Sequence, residues 1–318
     1  KEIFKFPFAI DIFEGLKRTR HKVFITGNDA SFTFPYTKMP NLIQVNANNV
    51  LLCKVYENKI LSEYIFQLKN ADNFAHRTEA LFQVATKQDD KAAFNAIVNA
   101  LDDDSYQIRK LALQQIDLIN KFSKKEAIKK IMIMANNDPK TLVQAEAIST
   151  LGKLIDPELK PIFEQALTSQ SYSVLGKALV SMYYVDKALA IQKSKELPDE
   201  VRKILATPLT KIFIEAKDES ELPFVAKSVI SGMYLANDDA TKVLYQKAFD
   251  QISVTNNTIA IQNLVDDMVL KGNEYKGFNF DKIMINLMRT MVDQQQKGNK
   301  TNAQKNIEII KTAMSKLL

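Results

Sequence analysis

Two histidines, His21 and His76, and one cysteine, Cys53, are the only imidazole and thiol side chains in this 318-residue sequence. Neither histidine has another three or four residues away, so the pair of imidazoles that a zinc hydrolase sets on one helix face, H-E-x-x-H, is absent. A lone thiol excludes an internal disulfide and a cysteine-based metal cluster. Cys53 lies in the apolar run Val50–Tyr56 with no histidine beside it, which reads as inert strand core rather than an activated nucleophile. There is no G-x-S-x-G turn, and no G-x-G-x-x-G or G-x-x-x-x-G-K-[ST] phosphate loop. The acidic runs Asp102-Asp103-Asp104 and Asp266-Asp267 read as helix-end caps and solvated faces, not acid/base pairs. The cluster Lys17, Arg18, Arg20, His21 and Lys22 has the charge to meet a phosphate. It lacks an interleaved set of aromatic rings for stacking, and it reads as a solvated hairpin whose long side chains guard a sheet edge. None of these residues assembles a catalytic or metal site. The expectation is a chain that holds no cofactor and catalyses nothing by itself.

The elements that carry these residues divide into two kinds. Over residues 1–59 the pattern is that of strands. Phe4, Phe6, Phe8, Ile10 and Ile12 alternate with other residues, Glu14-Gly15 and Gly27-Asn28-Asp29 are turn signals, and Phe32 and Phe34 alternate again before Pro35. Leu42–Val45 and Val50–Tyr56 read as two more strands around a turn at Asn46–Asn49. Five or so short strands predict a small β-sandwich, truncated at its start, that must pack on something else. From residue 60 to 318 the spacing is helical: Phe94, Ile97, Val98 and Leu101 follow i, i+3, i+4, i+7, and Asp138-Pro139 and Asp156-Pro157 set a cap before a first-turn proline.

A small residue recurs along these helices. Ala80, Ala112, Ala147 and Ala178 each sit mid-helix after a polar lead-in, at intervals of 32, 35 and 31 residues. A period in that range denotes a helical repeat. A small residue there lets neighbouring helices approach closely while the branched residue four positions earlier packs on the same face. This is the second-helix pattern of HEAT-like repeats, and the aromatic and glycine positions of tetratricopeptide repeats do not recur in phase. The predicted fold class is mainly α, a HEAT-like α-α superhelix preceded by the small β-sandwich. Beyond residue 185 the period loosens, although Glu200-Val201-Arg202 echoes Gln107-Ile108-Arg109. The loop Lys271–Phe280 interrupts it once. Met132, Met134, Met182, Tyr183 and Tyr184 read as core filler.

The formal net charge is +6, but it is uneven. Residues 1–69 hold 10 Lys and Arg against 6 Asp and Glu, which leaves 33 against 31 for the rest. A nearly neutral helical region gives little reason to expect nucleic acid along it. No 18-residue apolar run occurs, so no membrane span is expected. The compartment, cytoplasmic or exported, is not fixed by these features.

The order of motifs at the junction carries a resemblance. Phe32-Thr-Phe34, Pro40-Asn-Leu-Ile-Gln-Val-Asn46 and Val50-Leu-Leu52 run into Tyr64-Ile-Phe-Gln-Leu-Lys-Asn-Ala71 and then Arg77-Thr-Glu-Ala80-Leu81. Over residues 30–85 this resembles the C-terminal half of zinc metallo-aminopeptidases of the aminopeptidase N family. In those enzymes a catalytic domain precedes a β-sandwich and a HEAT-like helical bowl. Neither the zinc motif nor the G-x-M-E-N loop of that family is present, so no catalytic or metal residue transfers to any position. The resemblance implies a non-catalytic portion that closes a chamber for short peptide substrates, with zinc and an upstream catalytic domain supplied by a longer parent. A sequence that starts in a strand without Met fits such a fragment, and its exposed sheet edge implies a possible dimer. The alternative is a free-standing HEAT-repeat scaffold for protein–protein interaction. A HEAT protein that binds nucleic acid is a further rival, disfavoured by the near-neutral helical region.

Overall fold

A computed structural model describes residues 5–53, 55–119, 121–122, 124–298 and 300–318. The first alternating run forms strand β1 (Phe6–Glu14), which turns at Gly15 into β2 (Lys17–Ile25). Gly15 takes φ +62° at that turn, a conformation that costs glycine nothing. A short β3 (Leu42–Gln44) pairs with the other side of β1, giving an antiparallel sheet in the order β2-β1-β3, with Ile10 opposite His21 and Ile12 opposite Ile43. On one face Phe8, Ile10, Ile12 and Val23 cluster beneath Phe34. The other face meets helix α1 (Leu61–Asn70), where the Phe13 and Phe66 rings lie edge to face at 5.6 Å. Burial on both faces explains why every residue from Ala9 to Phe13 is enclosed.

The β region is smaller than five strands. Residues 32–34 join no ladder, and their rings serve the face of the sheet instead: Phe32 packs edge-on to Phe8, and Phe34 stacks on His21 at 4.1 Å. Pro35 then removes a donor. The described residues of the 50–56 run also form no ladder, with Val50, Leu52 and Tyr56 exposed; Lys54 lies outside the described residues. Cys53 is exposed, not inert core.

The chain forms two compact units, residues 1–154 and 155–318. In the first unit the sheet is followed by α1, α2 (Phe74–Ala85), α3 (Lys91–Ala100), α4 (Tyr106–Gln115), α5 (Lys124–Asn137) and α6 (Thr141–Gly152). Consecutive helices pair as α1 with α2, α3 with α4 and α5 with α6, while the second helices pack in a row, α2 on α4 and α4 on α6. Ala80, Ala112 and Ala147 occupy this row with no exposed surface, amid the equally enclosed Leu81, Ile108, Leu113, Val143 and Ile148. Asn73 and Asp90 cap α2 and α3 through side-chain oxygens that accept from Ala75 N at 2.8 Å and Ala92 N at 2.7 Å.

The second unit holds α7 (Lys160–Ala166), α8 (Tyr172–Val185), α9 (Lys187–Lys195), α10 (Asp199–Ile204), α11 (Ala206–Ala216), α12 (Leu222–Ala226), α13 (Val229–Tyr234), α14 (Asp239–Ser253), α15 (Thr258–Glu274), α16 (Phe280–Gly298) and α17 (Ala303–Met314). Its core runs from Leu175 and Leu179 through Phe213, Val225, Phe249 and Leu264 to Met288 and Ile310. Ala178, on α8, is fully enclosed. α11 packs between α8 and α14. α14 closes on α13 at Gly232, where a Cβ would fall inside the Tyr245 ring, so only glycine admits that approach. Among the described residues the architecture is mainly α, with HEAT repeats and a small N-terminal sheet, as the sequence predicts.

Candidate interaction surface

The residues that carried the most chemistry in the sequence are spent on holding the fold together. Asp11 is 3% exposed in β1, and Arg20 grips it with two parallel hydrogen bonds, Nε and Nη2 donating at 2.7 Å to its two oxygens. The same guanidinium donates from Nη1 to Asn48 Oδ1 at 2.7 Å, and Arg18 pairs with Asp72 in the α1–α2 turn. The carboxylate of Asp11 holds the Arg20 guanidinium above its ordinary pKa. With His21 stacked on Phe34, the basic cluster is therefore largely structural; Lys17 and Lys22 are exposed. His76 is enclosed, and burial, followed by the nearby Lys59 charge, pushes its imidazole below the usual value. It is a packed neutral ring.

The acidic run at 102–104 also binds helices to one another. Arg77 on α2 pairs with Asp103, and Arg109 on α4 grips Asp138 through Nε at 2.8 Å and Nη2 at 2.9 Å while its Nη1 donates to the Asp103 carbonyl at 2.8 Å. Arg77 and Arg109 each stand three residues before the repeat alanine of their helix. Gln144, in the same position before Ala147, donates to the Asp138 carbonyl at 2.7 Å. Thr150 Oγ1 adds a bond to the Leu113 carbonyl at 2.9 Å. The echo at 202 has the same logic: Arg202 pairs with Glu221 and lies over the Phe213 and Phe224 rings.

Asp267 departs from the sequence reading. It lies within α15, one of its oxygens is enclosed with no hydrogen-bond partner, and burial pushes its carboxyl up to about 6 against the opposing charge of Lys271. No group of three or more His, Cys, Asp or Glu that could hold a metal ion occurs among the described residues.

What the row of second helices leaves to solvent is a stripe of side chains that the core does not use. In the first unit it includes Phe82 on α2, Gln114 on α4 and Glu146 on α6, with Gln114 donating to Glu146 at 3.0 Å. In the second unit the corresponding stripe of α8 carries Ser173, Lys177 and Tyr184, and α11 lays Lys211 and Glu215 beside it. The Tyr184 hydroxyl donates to Glu215, whose oxygens lie 2.9 and 3.1 Å away. Burial and that carboxylate push the phenol up to about 12, so it stays a donor. Lys211 Nζ stands 5.4 Å over the Tyr184 ring, Lys187 Nζ stands 5.6 Å over Tyr183, and the two rings meet edge to face at 5.5 Å.

Tyr184 is 37% exposed, so it is not core filler, whereas Met134 and Met182 are buried as expected. The sequence signal was its phase: Tyr184 falls seven residues after Lys177, on the polar stripe, and out of step with Ala178 and Met182. Lys211 and Glu215 carried no signal of their own.

Residues 94–183 match the HEAT-repeat family. No curated protein matches the chain in sequence. Among solved structures the chain is similar to the complex of CpcE and CpcF of phycocyanin lyase from Nostoc, at 15% identity and a TM-score of 0.42, covering 85% of this chain and 98% of that one. It is also similar to YibA of Escherichia coli, at 17% identity and a TM-score of 0.42, covering 80% and 91%. A third likeness is to human deoxyhypusine hydroxylase in complex with glycerol, at 12% identity and a TM-score of 0.35, covering 80% and 96%. The resemblance to aminopeptidase N is corrected by these findings. The family matched is HEAT repeats, so the metallopeptidase parent and its peptide chamber are not supported. The motifs at 30–85 misled because they are short and apolar, and the strands expected at 32–34 and among the described residues of 50–56 do not form.

No helix among the described residues is long and apolar enough to cross a membrane.

Proposed function

We propose that this protein is a protein–protein interaction module that presents its second-helix stripes to a partner. The observation that carries this reading is the HEAT-repeat match over residues 94–183, together with a row of second helices whose inner faces are fully enclosed and whose outer stripes are not. Stacked helix pairs expose an extended face, which is how repeat proteins contact other chains. The reading includes no catalysis and no cofactor, since the side chains with chemistry in them hold helices and sheet together. Pairing of two copies through the β2 edge would set Lys17, Arg18, Arg20 and Lys22 against their own kind, so the partner in this proposal is a different chain.

Site-specific photo-cross-linking tests it. Benzoylphenylalanine placed at Gln114, on the stripe, is expected to capture discrete protein adducts in cells of origin. The same group at Lys129, exposed on α5, is expected to capture none. Absence of adducts at Gln114, or an identical pattern at both positions, overturns the proposal.

A further inference from the structure

The second unit shows what kind of partner would fit. Lys187 at the start of α9 and Lys211 on α11 stand over the two tyrosine rings at the end of α8, and the carboxylate that enters this patch, Glu215, is already taken by the Tyr184 hydroxyl. The other nearby carboxylate, Asp186, is engaged too: it accepts from Lys160 Nζ at 2.7 Å and from the Leu189 amide at 3.0 Å at the start of α9. Lys187 and Lys211 have no carboxylate partner among the described residues; each rests over an aromatic face. An ammonium over a ring is held in place by the ring's quadrupole yet keeps its hydrogen-bond donors. Tyrosine is suited to a recognition surface, since its ring buries much area for the loss of two torsions.

We infer that the Tyr183–Tyr184–Lys187–Lys211 patch docks an acidic peptide segment of the partner, with Asp or Glu carboxylates accepting from Lys187 and Lys211 and the peptide's aliphatic stems lying on the two rings. The patch is cationic in excess of its own carboxylates, and that charge complementarity selects an acidic occupant over a neutral or basic one. This inference rests on the interaction reading above.

The test uses the full chain and a fluorescein-labelled deca-glutamate peptide, followed by fluorescence anisotropy at 50 mM and 300 mM salt. Saturable binding at 50 mM is expected, weakened at least tenfold by Lys187→Glu with Lys211→Glu and by the higher salt. The charge-neutral pair Lys187→Gln with Lys211→Gln, read alongside circular dichroism, is expected to weaken binding several-fold with helicity intact. Lys125→Glu with Lys129→Glu on α5 is expected to stay within a factor of two. No saturable binding, or equal loss in the α5 control, overturns the inference. Cross-links at Gln114 that persist when the peptide fails to bind leave the interaction reading standing, whereas their absence removes that reading independently.

Discussion

Asp267 is the side chain whose surroundings fit its charge least. Its carboxyl sits at about 6 because burial disfavours the ionised form and Glu274 adds to that, while Lys271 only partly compensates. The sign of the consequence follows. Between the usual carboxylate value and about 6 the folded chain keeps a proton that the unfolded chain has released, so stability falls as pH rises through that window, and the cost is fully present above it. Asp267→Asn removes the charge and keeps the shape. The expected gain is about 1–2 kcal/mol at pH 7.5, after discounting for partial exposure, and close to none at pH 3.5. Urea melts at the two pH values measure it, and an equal effect at both contradicts the assignment.

At the scale of elements, the exit from α6 is strained. Ile155 holds φ +51°, a left-handed conformation that a β-branched side chain adopts at a cost of about 1–2 kcal/mol, and it is more than half exposed, so packing returns little. Ile155→Asn is expected to raise the midpoint in thermal melts by the equivalent of about 0.5–1 kcal/mol, and Ile155→Val, still β-branched, to leave it where it is. A gain from valine equal to that from asparagine sinks the explanation. The helical elements are legible because their information is local: Ala80, Ala112, Ala147 and Ala178 repeat in phase with apolar neighbours, and Asp156 before Pro157 caps a helical turn, whereas Asp138 before Pro139 does not cap α6, whose N-cap is Lys140. The strands at 32–34 and 50–56 were misread because alternation marks a half-buried extended segment without saying whether its backbone finds a partner. Phe34 meets the sheet with its ring instead. The surface patch was illegible for a related reason. Tyr184 needs Lys211 and Glu215, 27 and 31 residues away, and only the packing of α11 on α8 brings them together.

For the molecule as a whole, the repeat is a matter of charge as well as spacing. Arg77 with Asp103 and Arg109 with Asp138 are the same clasp one repeat apart, and Thr150 reaches Leu113, whose counterpart a repeat earlier is Leu81. This repetition predicts that a version of the chain shorter by one clasped unit folds. Excising residues 103–137 would bring Asp138 to the place of Asp103, hand it to Arg77, and set Thr150 against Leu81, with no enclosed guanidinium or carboxylate left stranded. That variant is expected to melt in one cooperative transition with helix content reduced in proportion. Excising residues 103–126, which delivers Ala127 to Arg77, is expected to leave a buried cation unanswered and a broad, non-cooperative melt. Such in-phase loss and gain of clasped units is a route by which a protein of this kind changes length across generations while remaining folded at each step.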